Sequence, residues 1–257
     1  MTLSSNTLFH FTDRIEGLIS ILTHEFRPHY ALEDLADVFG RPGDERDPTI
    51  GISMVCFCDI PLSQTTRHMQ TYGNYALGLT KEWGMEAGLA PVIYSHPTSG
   101  TSRAILELYE RGGPAERHGP DGQPRPAVAA DFNCESERLV CFLKPYRGRF
   151  HRRGQPTQDV TFYDEREWRY VPLGPWRAIE RSEYTDFRRR HQANDELSQI
   201  APLSFEPADI RYVIVADETE ILPMIEEIKA IKAKYSASEV ELLCSRILTA
   251  SQIATDF

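Results

Sequence analysis

Apolar and polar positions alternate at the start of the chain, where Thr7–Thr12 (TLFHFT) is short, β-branched and aromatic and predicts a strand. The period then lengthens. Ile15, Leu18, Ile19 and Leu22 recur at i, i+3, i+4 and i+7, so residues 14–23 predict a helix with Asp13 as its cap. A second short helix is expected over residues 32–38, and the Gly- and Pro-broken stretch 40–48 as a loop. Residues 52–62 predict a strand that ends at Pro61. Met54, Cys56 and Cys58 would share one of its faces, and Val55, Phe57 and Asp59 the other. Ser63 is the expected cap of a helix running through His68 and Met69.

Further along, a strand is expected over 76–80, a helix or turn over 81–87, a strand over 91–96 and a helix over 102–111. Residues 112–125 form a polar Gly/Pro-rich loop. The run RLVCFLKPY (138–146) reads as a strand, residues 147–159 as a basic loop, and the next strand starts at about Glu167. The tail reads as a strand (211–217), an amphipathic helix (220–234) and a strand or helix (240–247). Strands and helices mix at both ends, so the pattern predicts a single α+β domain over 1–257. Its sheet would be mixed or antiparallel with flanking helices. The core would run from about 7 to 215, with a C-terminal extension over about 210–257.

Composition narrows the class. The apolar share of 41% and charged share of 26% suit a globular chain, and no run of 18 apolar residues is present to cross a membrane. The N-terminal stretch lacks the pattern of a secretory signal, so a cytoplasmic location is expected. The net charge of −10 disfavours a broad nucleic-acid surface, because phosphate affinity comes mainly from Lys and Arg. Two local basic clusters, Arg147/Arg149/Arg152/Arg153 and Arg188–Arg190, are either solvated faces or contacts for an anion. Cys56, Cys58, Cys134, Cys141 and Cys244 make an odd count that argues for reduced thiols. The first four would serve either as small buried hydrophobes or as one zinc site, although neither pair has the usual knuckle spacing.

Four segments stand out as candidate chemistry. His10 sits in a strand, on the face opposite Phe9 and Phe11; a lone strand histidine is most often structural. His68 and Tyr72 are i, i+4 and would meet on a helix, with Gly73 either ending that helix or marking a close backbone approach. Lys81 follows a strand and would meet either a phosphate or solvent. Glu165, Glu167 and Arg169 alternate toward one face, as an ion-pair ladder or as a working carboxylate pair. No dinucleotide loop, P-loop, H-E-x-x-H or G-x-S-x-G is present.

Taken in order, LFHFT, MVCFCDIPLS, HMQTYGNYALGLTKEW, PVIY, FLKPYRG and FYDEREWRYVP resemble the AbiGi family of abortive-infection proteins over residues 7–173, more loosely through 209–215. The resemblance implies a role in phage defence beside a partner protein. Family members are described as the antitoxin half of a pair whose toxin is nucleotidyltransferase-like.

A strand-borne His-x-Thr, a mid-chain Tyr and a Glu opening a late strand are also similar to ADP-ribosyltransferases, including the DarT group that modifies DNA. That more distant resemblance implies a split sheet, NAD as co-substrate, and a nucleic-acid or protein acceptor. His10, with Thr12, would hold the nicotinamide-side ribose, and Tyr72 or Tyr75 would stack on nicotinamide. Glu167 would bond the ribose 2′-hydroxyl and stabilise the oxocarbenium-like transition state, while Glu165 would engage the acceptor. Two departures stand out: His10 is not followed by glycine, and a Glu-x-Glu pair belongs more to the Arg–Ser–Glu type. Three readings therefore remain: an NAD-dependent ADP-ribosyltransferase, a non-enzymatic antitoxin, and a magnesium-dependent nuclease using Asp59, Glu165 and Glu167.

Overall fold

A computed structural model describes residues 5–39, 48–111, 135–150, 158–173, 178–197, 199–200 and 202–256. The first strand, β1 (Thr7–Thr12), leads into α1 (Ile15–His24), whose stripe buries Leu18 and Leu22 completely and Ile15 and Ile19 in part. Each fully buried Leu contributes about 1.5–3 kcal/mol. Arg14, not Asp13, occupies the cap position and makes no side-chain cap bond, because the helix begins one residue later than expected.

Next comes β2 (His29–Asp34), whose last three residues fall where a helix was expected, and only α2 (Ala36–Phe39) is helical there. The long strand β3 (Thr49–Cys58) explains the difference: it pairs with β2 from His29↔Met54 to Asp34↔Thr49. Those ladder bonds override the local helical pattern.

After a 3-10 turn at Leu62–Gln64 comes α3 (Thr65–Tyr72), with Gln64 rather than Ser63 at its cap. Then follow β4 (Tyr75–Thr80), α4 (Lys81–Glu86) capped by the Thr80 hydroxyl, β5 (Ala90–Pro91), β6 (Ile93–Ser95) and α5 (Gly100–Arg111). The apolar run expected as one strand divides into α6 (Glu135–Cys141) and β7 (Leu143–Pro145). A continuous apolar run cannot separate a buried helix from a buried strand by period alone. The basic stretch holds an antiparallel hairpin of β8 (Gly148–Phe150) and β9 (Gln158–Val160). Another 3-10 turn, Phe162–Glu165, precedes β10 (Glu167–Tyr170). The remaining elements are β11 (Ile179–Glu180), α7 (Arg181–Thr185), α8 (Phe187–Leu197), β12 (Ile210–Val215), α9 (Ile221–Ile231), α10 (Ala237–Cys244), β13 (Ile247–Thr249) and α11 (Ala250–Asp256).

Among the described residues, nine strands form one sheet in the order β13-β12-β4-β1-β3-β10-β5, with β2 and β11 on the first half of β3. The sheet is mixed: β12 and β13 are parallel, and the other pairs are antiparallel. The chain is therefore α+β, and the tail strands β12 and β13 extend the same sheet beyond β4. One face carries the larger core, where Leu8, Phe57, Leu77 and Val213 meet α1, α4, α9 and α10. The other packs Phe9, Cys58, Ala76 and Ile214 against α3 and α11. Among the described residues, no helix is long and apolar enough to cross a membrane.

Candidate functional site

The two faces decide which candidate residues can meet. Phe9 pairs with Cys58, and Cys58 pairs with Glu167, so all three project to one side of the sheet. His10 is one residue on and projects to the other. Its Nδ1 donates to the Cys56 carbonyl at 2.8 Å, and its ring lies against Phe26 and Phe57 with centroids 5.1 and 5.6 Å away. Burial lowers its pKa, so this is a neutral imidazole within the core. Thr12 follows the same parity, and its hydroxyl donates to the Arg14 carbonyl at 3.3 Å. The Tyr75 hydroxyl donates to Glu220 at 2.9 Å. Lys81 pairs with Asp59 at 2.7 Å and lies 5.6 Å from the Trp168 ring centroid. The structure thus does not bring His10, Thr12, Tyr75 or Lys81 to Glu167.

It does bring Tyr72, Glu165 and Glu167 together, around Lys144. Arg166 adopts the left-handed conformation (φ 46°) between the Phe162–Glu165 turn and β10, breaking the two-residue alternation there. That conformation costs a non-glycine residue about 1–2 kcal/mol. Glu165 and Glu167 nevertheless both reach the Lys144 ammonium: Glu167 through a short direct pair, Glu165 at 3.3 Å. The Tyr72 hydroxyl donates to Glu165 at 2.6 Å, and the Tyr94 hydroxyl accepts from the Glu167 amide at 2.8 Å.

Arg169 closes the other side. It is fully buried, donates from Nε to Glu167 at 2.5 Å, and donates from Nη1 to the Cys141 carbonyl at 2.7 Å. Its Nη2 lies 2.8 Å from Glu33, a charge pair without hydrogen-bond alignment. Three carboxylates thus share two cations in the interior. Burial would raise the pKa of Glu167, but Arg169 and then Lys144 outweigh it and bring it down to about 2. Burial would likewise lower Lys144, yet Glu167, Glu33 and Glu165 hold it well above its usual value. Glu33, Lys144 and Tyr94 escaped the sequence reading. Lys144 left one signal, a lone cation inside the apolar run LVCFLKPY.

The cysteines on this side pack as apolar groups. Cys56, Cys58 and Cys141 are free thiols; burial pushes Cys56 and Cys58 well up, and the Cys58 thiol donates to the Phe9 carbonyl at 3.5 Å. Cys134 lies outside the described residues. Among the described residues, no group of three His, Cys, Asp or Glu is placed to hold a metal ion. Of the basic clusters, Arg147, Arg149 and Arg188–Arg189 are exposed, while Arg152 and Arg153 lie outside the described residues.

A cavity of about 380 Å³ opens beside the cluster, between α3, β8 and the Phe162–Glu165 turn. Tyr72 and Glu165 line it; Glu167 does not. His68 and Tyr72 meet there across one helical turn, ring centroids 5.9 Å apart, as their spacing predicts. Burial, then the Arg67 charge, lowers His68 to about 4 against the opposing pull of Asp164. A depressed imidazole pKa stabilises the fold above the unfolded value of 6.5, and that stability is lost as pH falls toward 4. The expected loss is on the order of 3 kcal/mol. Urea midpoints measured from pH 7 to pH 4 should therefore fall more steeply for the native chain than for His68→Gln. Parallel slopes would remove His68 as the source.

A family model described as "Putative abortive phage resistance protein AbiGi, antitoxin" matches residues 25–216, which include Glu33, Tyr72, Lys144, Glu165, Glu167 and Arg169. The chain is also similar to the "Abortive phage resistance protein AbiGi" of Lactococcus lactis subsp. cremoris. The two are 27% identical over 237 residues, covering 80% of this chain and 89% of that protein. No solved structure matches significantly.

Proposed function

The chain belongs to the AbiGi family of abortive phage resistance proteins, and from that premise we propose that it is a non-enzymatic antitoxin that binds and neutralises a nucleotidyltransferase-like toxin. The observation that carries this reading is the state of Glu167. Its carboxylate is buried, one oxygen is held by Arg169 and the other by Lys144, and it lies outside the cavity. A carboxylate meant to stabilise positive charge on a ribose must be aimed at the substrate, whereas this one already serves two internal cations. His10 lies on the opposite face of the sheet from Glu167, which weighs against a His–Tyr–Glu arrangement. The cluster instead ties together β2, β7, β10 and the Phe162–Glu165 turn, as expected of a rigid binding scaffold.

A second reading, an NAD-dependent ADP-ribosyltransferase with a macromolecular acceptor, keeps one observation in its favour: Tyr72 and Glu165 line the cavity side by side, 2.6 Å apart. One experiment separates the two. The product of the neighbouring gene is expressed alone and with this chain in a bacterial host, and the purified chain is incubated with labelled NAD+ and lysate. The antitoxin reading expects growth arrest by the neighbour alone, relief on co-expression, a complex on size exclusion, and no nicotinamide release. Nicotinamide release or label transfer that disappears in Tyr72→Phe would replace it with the transferase.

A further inference from the structure

We propose that the cavity between α3, β8 and the Phe162–Glu165 turn binds a nucleotide, with its base among the rings of His68, Tyr72, Phe150 and Tyr163 and its phosphate toward Arg67. This goes beyond toxin binding and does not depend on it.

Size and lining come first. About 380 Å³ falls at the lower end of the range of small-molecule sites, which suits a ligand no larger than a mononucleotide. The aromatic groups come from three elements: His68 and Tyr72 from α3, Phe150 from β8 and Tyr163 from the turn. Tyr72 and Phe150 are edge-to-face, with centroids 6.1 Å apart. Aromatic faces hold bases by stacking whatever the base, because every base presents a π-face.

The second observation is an orphan. The Nε2 of His68 is buried and has no hydrogen-bond partner among the described residues, and the side chain lines this cavity with only 8% of the residue exposed. A buried polar atom without a partner forfeits its hydration, so a turn of the imidazole that brings Nε2 to the cavity surface would let a ligand supply the missing bond. A neutral imidazole can donate to or accept from a base edge.

The third is the charge at the mouth. Glu165 is already matched by Lys144 at 3.3 Å and by the Tyr72 hydroxyl, so it does not present a bare negative charge. Arg67 is paired with Asp164 at 3.3 Å, but both side chains are more than half exposed. Such a pair contributes little and can be exchanged for a phosphate, which the guanidinium grips in a fork. Arg166 also lines the cavity, held in its left-handed conformation, and backbone strain of this kind collects at ligand clamps.

The base–phosphate chemistry can come from a free nucleotide or from the end of a strand, and the test distinguishes them. AMP, GMP, CMP and UMP, and short 5′-phosphorylated RNA strands, are titrated calorimetrically into the full chain. Imidazole signals of His68 are followed by NMR. At least one probe should bind with a Kd below about 1 mM and shift the His68 signals; Arg67→Ala and Phe150→Ala should each weaken binding about fivefold or more. The thermal midpoint of Arg67→Ala should not change, since that side chain is exposed. Strand binding about tenfold tighter than the mononucleotide assigns the strand end, and equal affinity assigns the free nucleotide. No binding by any probe up to about 5 mM, affinity unchanged in Arg67→Ala, or unmoved His68 signals would each overturn the proposal.

Discussion

Arg169→Met lowers the stability of the protein by about 3–5 kcal/mol, enough to unfold a marginal chain at physiological temperature. The side chain is fully buried, and three groups depend on it: Glu167, Glu33 and the Cys141 carbonyl. Without it, Lys144 alone faces Glu33, Glu165 and Glu167, at 4.0 Å from Glu33 and 3.3 Å from Glu165. An unpaired carboxylate in a dry interior costs more than a missing contact, because it must take up a proton or admit water.

The pH dependence gives the signature. In the native chain the depressed pKa of Glu167 contributes stability that is present above about pH 4.5 and lost as pH falls toward 2. In Arg169→Met, Glu167 loses the larger of the two cations that hold its pKa down, so this loss of stability toward low pH should become shallower than in the native chain. Urea unfolding followed by circular dichroism at several pH values reads both. A loss below about 1 kcal/mol, or the native pH trend retained, would contradict a buried cluster held by Arg169.

Gly73→Ala is expected to cost about 2–4 kcal/mol, although it adds a single methyl group. Gly73 ends α3 with φ 116° and ψ 164°, a region open almost only to glycine. A Cβ there would also overlap the Thr12 carbonyl oxygen and the Asp13 Cα, both backbone atoms that cannot swing aside. Relief would require moving β1 away from the end of α3, and α3 carries His68 and Tyr72 into the cavity. The thermal midpoint should fall by several degrees, while Gly100→Ala, with nothing within 4 Å of its added Cβ, serves as control. Equal midpoints would show that the α3–β1 junction yields more than its geometry suggests. Both readings of Gly73 hold at once: it terminates the helix, and the chain passes too close for any side chain.

Several features were legible in the residues. The elements β1, α1, β4, α4, α5, β10, β12 and α9 appear within a few residues of where the period placed them, because periods of two and of 3.6 are local properties. The family, too, was carried by the order of short motifs. The meeting of His68 with Tyr72 and the pairing of Arg169 with Glu167 follow from the same local rules.

Only the tertiary structure could decide the rest, and the reason is register. A shift of one residue sends a side chain to the other face of a sheet, so Phe9↔Cys58 and Cys58↔Glu167 are what part His10 from Glu167. Residues 32–34 became strand because β3 was there to pair with them, and residues 138–141 became helix inside an apolar run that suits either form. Lys144 and Glu33 joined Glu167 from segments 23 and 134 residues away, and what such charges do depends on how far burial strips their water. The chain determined by itself where its most strongly periodic segments lie and which family it belongs to. Long-range pairing and desolvation decided that Glu167 would sit buried between Arg169 and Lys144.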